Sequence, residues 1–171
     1  MGETETSKLT IADTGPILRI SELSAWELLE PFEPILVGQL VHSECKRLSV
    51  SPTPFPVSLV DASPSAASLS QLRPWMNSNL IQPADAESIA HCLDRPGSRL
   101  LTDDAAARTI AESLGIEVRG SIGVVLVNAA LDLIKLEEAK EYLFALEKST
   151  LWVSPKVMAE ARKFLTGEDL E

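Results

Sequence analysis

Leu9-Thr10-Ile11-Ala12-Asp13-Thr14-Gly15-Pro16 is a short apolar run that stops at a carboxylate. Leu9 to Ala12 carry the signal of a buried strand. Asp13 to Pro16 carry turn and N-cap chemistry ahead of the helical pattern Ile17-Leu18-Arg19-Ile20-Ser21-Glu22-Leu23. Asp13 is therefore expected at the carboxyl end of a strand, where loops and helix N-termini converge in an open α/β sheet and ligands gather. Taken alone it reads equally well as a cap of the following helix. The rest of the chain has to decide between these two.

Working outward, Pro34-Ile35-Leu36-Val37-Gly38 reads as a second strand, followed at once by a helix from about Gln39 to Leu48. A β-α-β-α opening of this kind predicts a central, mostly parallel sheet with helices on both faces, a three-layer α/β/α fold. Residues 50–83 change character. Pro52, Pro54, Pro56, Pro64, Pro74 and Pro83, with many serines, interrupt an edge strand at Val57–Val60 and a helix from about Ala66 to Asn77, in which Trp75 and Met76 read as packing residues. This is an excursion from the core, not a linker. The alternation then resumes with helix Ala84–Leu93, strand Arg99–Thr102, helix Asp104–Leu114, strand Ile116–Val118 and helix Ser121–Leu131. Helix Glu137–Lys148, strand Leu151-Trp152-Val153 and a last helix Pro155–Leu165 follow, with Pro155 suited to a first helical turn. One domain is expected, with its core over about 7–166 and a disordered acidic tail at 167–171.

Hydrophobic residues make up 45% of the 171, enough for a sizeable core, and no apolar run approaches the roughly 18 residues of a membrane span. No membrane partner is expected. The N-terminus carries no basic segment followed by an apolar one, so no secretory signal is expected, and Cys45 and Cys92 form no paired-cysteine motif. Both features fit a cytoplasmic protein. A net charge of −10 argues against a broad basic surface that grips nucleic acid through its phosphates; such a substrate would need metal ions or a basic partner.

Several acids recur on apolar faces or at strand ends. Glu44 lies midway between Leu40 and Leu48 at helical spacing, on the stripe expected to face the sheet, where a carboxylate needs a salt bridge, strong hydrogen bonds or a metal. An ordinary lateral position is the alternative. Asp85 precedes Ile89 by one helical turn beside the stripe Ala86, Ile89, Ala90 and Leu93, and as a first-turn acid it also satisfies the helix dipole; Glu87 points more to the side. Asp103 and Asp104 follow strand Leu100-Leu101-Thr102 directly, one of them a cap and the other free for chemistry. Four carboxylates converging on one sheet edge would repel one another, so the arrangement calls for divalent cations. Oxygen donors suit Mg²⁺ or Mn²⁺, and such sites serve phosphoryl chemistry. His42 and His91 read as structural or surface residues.

With these residues assembled, the chain resembles PIN-domain proteins, the fold of the ribonuclease toxins of bacterial and archaeal toxin–antitoxin pairs. The resemblance covers about Ile11 to Leu165 and is carried by Ala12-Asp13-Thr14-Gly15-Pro16-Ile17, Val41-His42-Ser43-Glu44-Cys45 and the run from Leu100-Leu101-Thr102-Asp103-Asp104 to Gly120-Ser121-Ile122-Gly123-Val124. It implies that Asp13, Glu44, Asp85 and an acid of Thr102-Asp103-Asp104 bind Mg²⁺ or Mn²⁺ and position water to cleave an RNA phosphodiester. The Thr-x-Asp spacing favours Asp104 over Asp103, and Thr14 and Glu87 take supporting places. It further implies a homodimer and a cognate antitoxin as partner. One position departs from the pattern: where this branch of the family opens a helix with Gly-Glu, the chain has Ala84-Asp85, with Glu87 two residues on. The shorter reach of Asp85, together with the net charge, motivates an alternative in which the fold is kept as an interaction module with weakened catalysis.

Overall fold

The fold is that of a computed structural model, which describes residues 8–50, 57–60, 62–149 and 153–167. Strand β1 (Thr10–Ala12) is the centre of a five-stranded sheet in which every pairing is parallel. On one side it pairs with β2 (Ile35–Val37), Thr10 opposite Ile35, and β2 pairs with the edge strand β3 (Val57–Leu59). On the other side it pairs with β4 (Arg99–Leu101), Ala12 opposite Leu101, and β4 pairs with β5 (Glu117–Arg119). The order β3-β2-β1-β4-β5 means that the chain builds outward from β1, then crosses back to build on its other side.

Helices connect and cover the strands: α1 (Thr14–Glu22), a 3₁₀ segment (Trp26–Phe32), α2 (Gln39–Arg47), α3 (Ala66–Asn77), α4 (Pro83–Leu93), α5 (Ala105–Ser113), α6 (Ser121–Ala130), α7 (Leu136–Lys148) and α8 (Pro155–Thr166). The two-residue period of the strands sorts them into layers. Ala12, Ile35, Val37 and Leu101 face one core with Ile17 and Ile20 of α1, Val41 of α2, Val124 of α6, Leu143 of α7 and Met158 of α8. Ile11, Leu100 and Val118 face the other, against Leu72 of α3, Ile89 of α4 and Ile110 of α5. This is the expected three-layer α/β/α arrangement, and the Pro/Ser-rich stretch supplies both an edge strand and a covering helix.

Two expectations need correction. Leu40 and Leu48 are exposed, at 44% and 47%, and do not face the sheet. Val41 and Cys45 do, because α2 is rotated by one residue, about 100°, from the leucine stripe. Glu44 is still half-buried, but at the margin of the buried face. Leu151 and Trp152 of the expected strand lie outside the described residues, and Val153 is not in a strand. Of the expected acidic tail, 168–171 also lie outside them, and Gly167 caps α8.

Candidate active site

A sheet ordered β3-β2-β1-β4-β5 opens a crevice beyond the carboxyl ends of the strands where the winding reverses, between β1 and β4. Asp13 directly follows β1, and Thr102, Asp103 and Asp104 directly follow β4, so the topology brings both acidic segments to the same point. Asp13 occupies the N-cap position of α1, yet its side chain makes no cap bond. It is 7% exposed, accepts from Thr102 Oγ1 through Oδ2 at 3.1 Å, and shares a hydrogen bond with the carboxylate of Asp85. Burial, then the charge of Asp85, push the Asp13 carboxyl up to about 7, against the opposing pull of the Thr14 amide and the Thr102 hydroxyl. Asp85 is raised too, chiefly by burial, with the Asp104 and Glu44 carboxylates adding to it. Two carboxyl groups within hydrogen-bonding reach repel each other when both ionise, so below about pH 7 the metal-free protein holds a proton between Asp13 and Asp85.

Each remaining acid has a definite attachment. Thr14 Oγ1 donates to Glu44 Oε2, tying α1 to α2, and the Glu44 charge is felt at both Asp85 and Cys45. Burial, with Glu44 and Asp13 nearby, drives the Cys45 thiol up to about 11, so it stays protonated and offers no thiolate to a metal. Asp85 Oδ2 accepts the Gln82 amide at 2.8 Å, which makes Asp85 a first-turn cap as well as a partner of Asp13. Asp104 Oδ1 caps α5 through the Ala107 amide at 2.7 Å, while its own amide donates to Thr102 Oγ1 at 3.2 Å. Thr102 is thus a single hydroxyl joining Asp13 to the Asp104 turn. Asp103 is committed elsewhere: Oδ1 accepts the Ser121 amide at 2.7 Å and Oδ2 the Ser121 hydroxyl at 2.6 Å, latching the start of α6 to the end of β4. Gly120 makes that latch possible, since a Cβ there would come within 2.9 Å of Asp103 Oδ1 and of Arg108 Nη2.

Glu87 is buried and its carboxylate accepts the amides of Gln39 at 3.1 Å and Leu40 at 2.8 Å. It neutralises the N-terminus of α2, the helix that carries Glu44. Glu87→Ala leaves those two amides without partners, and is expected to lower stability by about 2–3 kcal/mol in urea unfolding while Mn²⁺ still binds.

A groove of about 870 Å³ runs from Asp13, Asp103 and Asp104 between α1, α5, α6 and α8. Arg19, Arg108 and Arg119 line it together with Ile122, Leu126, Val153 and Val157. Sequence reasoning missed these arginines because net charge averages over the whole surface and Arg19 lies far in sequence from the other two. The available signal was position: Arg108 lies one helical turn after Asp104, and Arg119 is the last residue of β5.

Among the described residues, no group of three or more His, Cys, Asp or Glu side chains is arranged as it stands to hold a metal ion. None of their helices is long and apolar enough to cross a membrane. The searches of curated proteins and of solved structures returned no match. Residues 9–167 match the family model described as a PIN domain. PIN domains are generally nucleases that use divalent metals. With 159 of its 171 residues inside that match and an all-parallel sheet that gathers acids at its switch point, the chain belongs to the PIN-domain family.

Proposed function

We propose that the chain is a metal-dependent endoribonuclease, with Asp13, Glu44, Asp85 and Asp104 as the acids that hold Mg²⁺ or Mn²⁺. The observation that carries this reading is the Asp13–Asp85 pair, two half-neutralised carboxyls kept together in a cleft with two further acids within electrostatic reach. A burial this costly is unexplained by packing, and it becomes favourable when a cation replaces the shared proton. The all-oxygen donor set, with Cys45 protonated, fits a hard cation. Such an ion supplies water activation and charge neutralisation to phosphodiester hydrolysis. The chain's own contribution is positional. Thr102 fixes the Asp13 carboxyl, Thr14 fixes Glu44, the Gln82 amide fixes Asp85, and Asp103 fixes the start of α6 through Ser121. With both oxygens of Asp103 taken by Ser121, Asp104 is the better ligand of the two.

Mn²⁺-dependent cleavage of pooled single-stranded RNA is the expected result, suppressed by EDTA and lowered at least about 100-fold in Glu44→Gln. RNA left intact at every Mn²⁺ concentration would overturn it. The second reading, an interaction module with weakened catalysis, draws on one specific feature: Asp85 Oδ2 and Asp104 Oδ1 already serve as helix caps. Mn²⁺ binding without cleavage of any RNA would select it. As for a second copy of the chain or a toxin–antitoxin partner, the support is an exposed apolar margin where Leu136 and Phe164 border a cavity of about 540 Å³.

A further inference from the structure

The helix that carries Glu44 is not capped by its own sequence. Helices α3, α5 and α8 open on Ser65, Asp104 and Ser154, whose side chains accept amides of their own first turns. At the same position α2 has Gly38, which has no side chain to offer, and its first turn holds no acid. The missing acceptor comes from α4. Glu87 Oε1 takes the Gln39 amide at 3.1 Å and Oε2 the Leu40 amide at 2.8 Å. Its carboxylate reaches them because position 38 is a glycine: a Cβ there would overlap Glu87 Oε2 and lie 2.6 Å from Cδ. Gly38 has φ −73°, which any residue adopts, so the requirement is for space and not for backbone freedom.

A serine at position 38 would satisfy a first-turn amide without burying a charge, whereas Glu87 is 7% exposed and a carboxylate taken out of water is costly. What a local cap cannot do is fix where α2 lies. Glu87 follows Asp85 by two residues on α4, and the Gln39 and Leu40 amides open the helix that bears Glu44, so one carboxylate ties together the carriers of both acids. Thr14 Oγ1 joins α2 to the Asp13 segment through Glu44, and Asp13 shares a hydrogen bond with Asp85. The links close into a ring in which Glu44 cannot draw away from Asp85 without breaking a bond to Thr14 or Glu87. Mg²⁺ requires near-octahedral oxygens at about 2.0–2.1 Å, while Ca²⁺ takes more oxygens at about 2.3–2.6 Å in looser geometry. A ring tied at each joint resists the wider separation that the larger ion needs.

We propose that Glu87 is a positioning residue, locked against Gly38, that sets the separation of Glu44 and Asp85 and so makes the site select Mg²⁺ over Ca²⁺. This rests on the reading of Glu44 and Asp85 as metal ligands. The ordinary alternative is that Glu87 only caps α2. The double variant Gly38→Ser/Glu87→Ala separates the two, because its serine caps α2 from within, in the space the shortened side chain vacates, while the tie to α4 is gone.

Mn²⁺ affinity is measured by calorimetry, and Mg²⁺ and Ca²⁺ affinities by competition against Mn²⁺, with thermal unfolding in EDTA on the same samples. The wild type should bind Mg²⁺ at least about 10-fold more tightly than Ca²⁺. Glu87→Ala should unfold at lower temperature, bind Mn²⁺ several-fold more weakly and lose at least about 5-fold of that preference. The double variant should recover most of the unfolding temperature and none of the preference. Asp94→Ala is the control: it removes the acceptor of Ser65 and Ser68 and so loosens α3 on α4 away from the acids, and it should lower the unfolding temperature with the preference intact.

A double variant that regains the wild-type preference together with its stability makes Glu87 a cap only and overturns the proposal. A wild type without preference for Mg²⁺, or a preference lost equally in Asp94→Ala, also overturns it. Where the serine restores no stability, Glu87→Ala set against Asp94→Ala decides the same question. Loss of preference in the Glu87 variants with no RNA cut by the wild type supports the positioning role and sinks the nuclease reading alone, whereas a wild type that binds none of the three cations overturns both.

Discussion

Asp13→Asn should abolish RNA cleavage, by at least about 10³-fold, and at the same time make the metal-free protein more stable at pH 8. The two effects have one cause. Asp13 is 7% exposed and sits against Asp85, so its charge is disfavoured by burial and by repulsion. An asparagine can still accept from Thr102 and donate to Asp85, but carries no charge to bury. It therefore removes a cost on the order of 2–4 kcal/mol above pH 7 and removes a ligand with it. A substitution that only damaged the fold would lower both activity and stability. Urea unfolding at pH 8 in EDTA, set beside cleavage rates in Mn²⁺, separates the two. A variant less stable than the wild type would mean that Asp13 is a structural anchor of β1 and α1, and not a site held ready against its own stability.

Stability of the metal-free wild type should fall as pH rises from about 4 to about 7, the opposite of the usual acid sensitivity. In the folded protein Asp13 holds its proton up to about 7, whereas in the unfolded chain it releases it at the ordinary 3.8. Across that window the folded state binds more protons than the unfolded one, so each rise in pH costs stability, and the loss is complete above 7. Asp85, raised mainly by burial, acts in the same direction. The change is on the order of 2–4 kcal/mol, or about 5–10 °C in Tm for a chain of this size. Mg²⁺ or Mn²⁺ should recover most of it at pH 8 and much less at pH 5, where protons compete for the same oxygens. Thermal scans at pH 5 and pH 8, with EDTA and with millimolar Mg²⁺, measure this. Equal Tm values at both pH values in EDTA would refute the strained pair.

The fold was legible from the sequence because its periodicity is clean. Three-residue strands with β-branched or leucine side chains alternate with helices, one of which opens on the cap expected of the Asp103-Asp104 pair, made by Asp104; Ser65 and Ser154 turn out to cap α3 and α8 as well. The Pro/Ser-rich stretch was readable as well, its strand landing on the sheet edge, where a loosely patterned strand is tolerated. What failed was the rotation of α2. Leucines at 40 and 48 suggested a buried stripe, but hydrophobicity alone cannot say which of two adjacent apolar stripes meets the sheet, and Val41 with Cys45 packs closer. The identities of the acids at the crevice followed from strand ends and helical turns. Their individual duties did not, because Asp103 and Glu87 cap helices remote in sequence, α6 and α2, and only the assembled fold brings a carboxylate of one element to the amides of another. The arginine groove was illegible for the same reason.

The most direct test of the account is Mn²⁺ titration calorimetry on the wild type and Asp13→Asn, repeated at pH 6 in buffers of different ionisation enthalpy. The account predicts that Mn²⁺ binds the wild type with release of close to one proton, the proton shared by Asp13 and Asp85, that this release fades toward pH 8.5, and that the variant binds no Mn²⁺. A wild type that binds no Mn²⁺, or one that binds it without releasing a proton and no differently from Asp13→Asn, would contradict the claim that these carboxylates form a metal site.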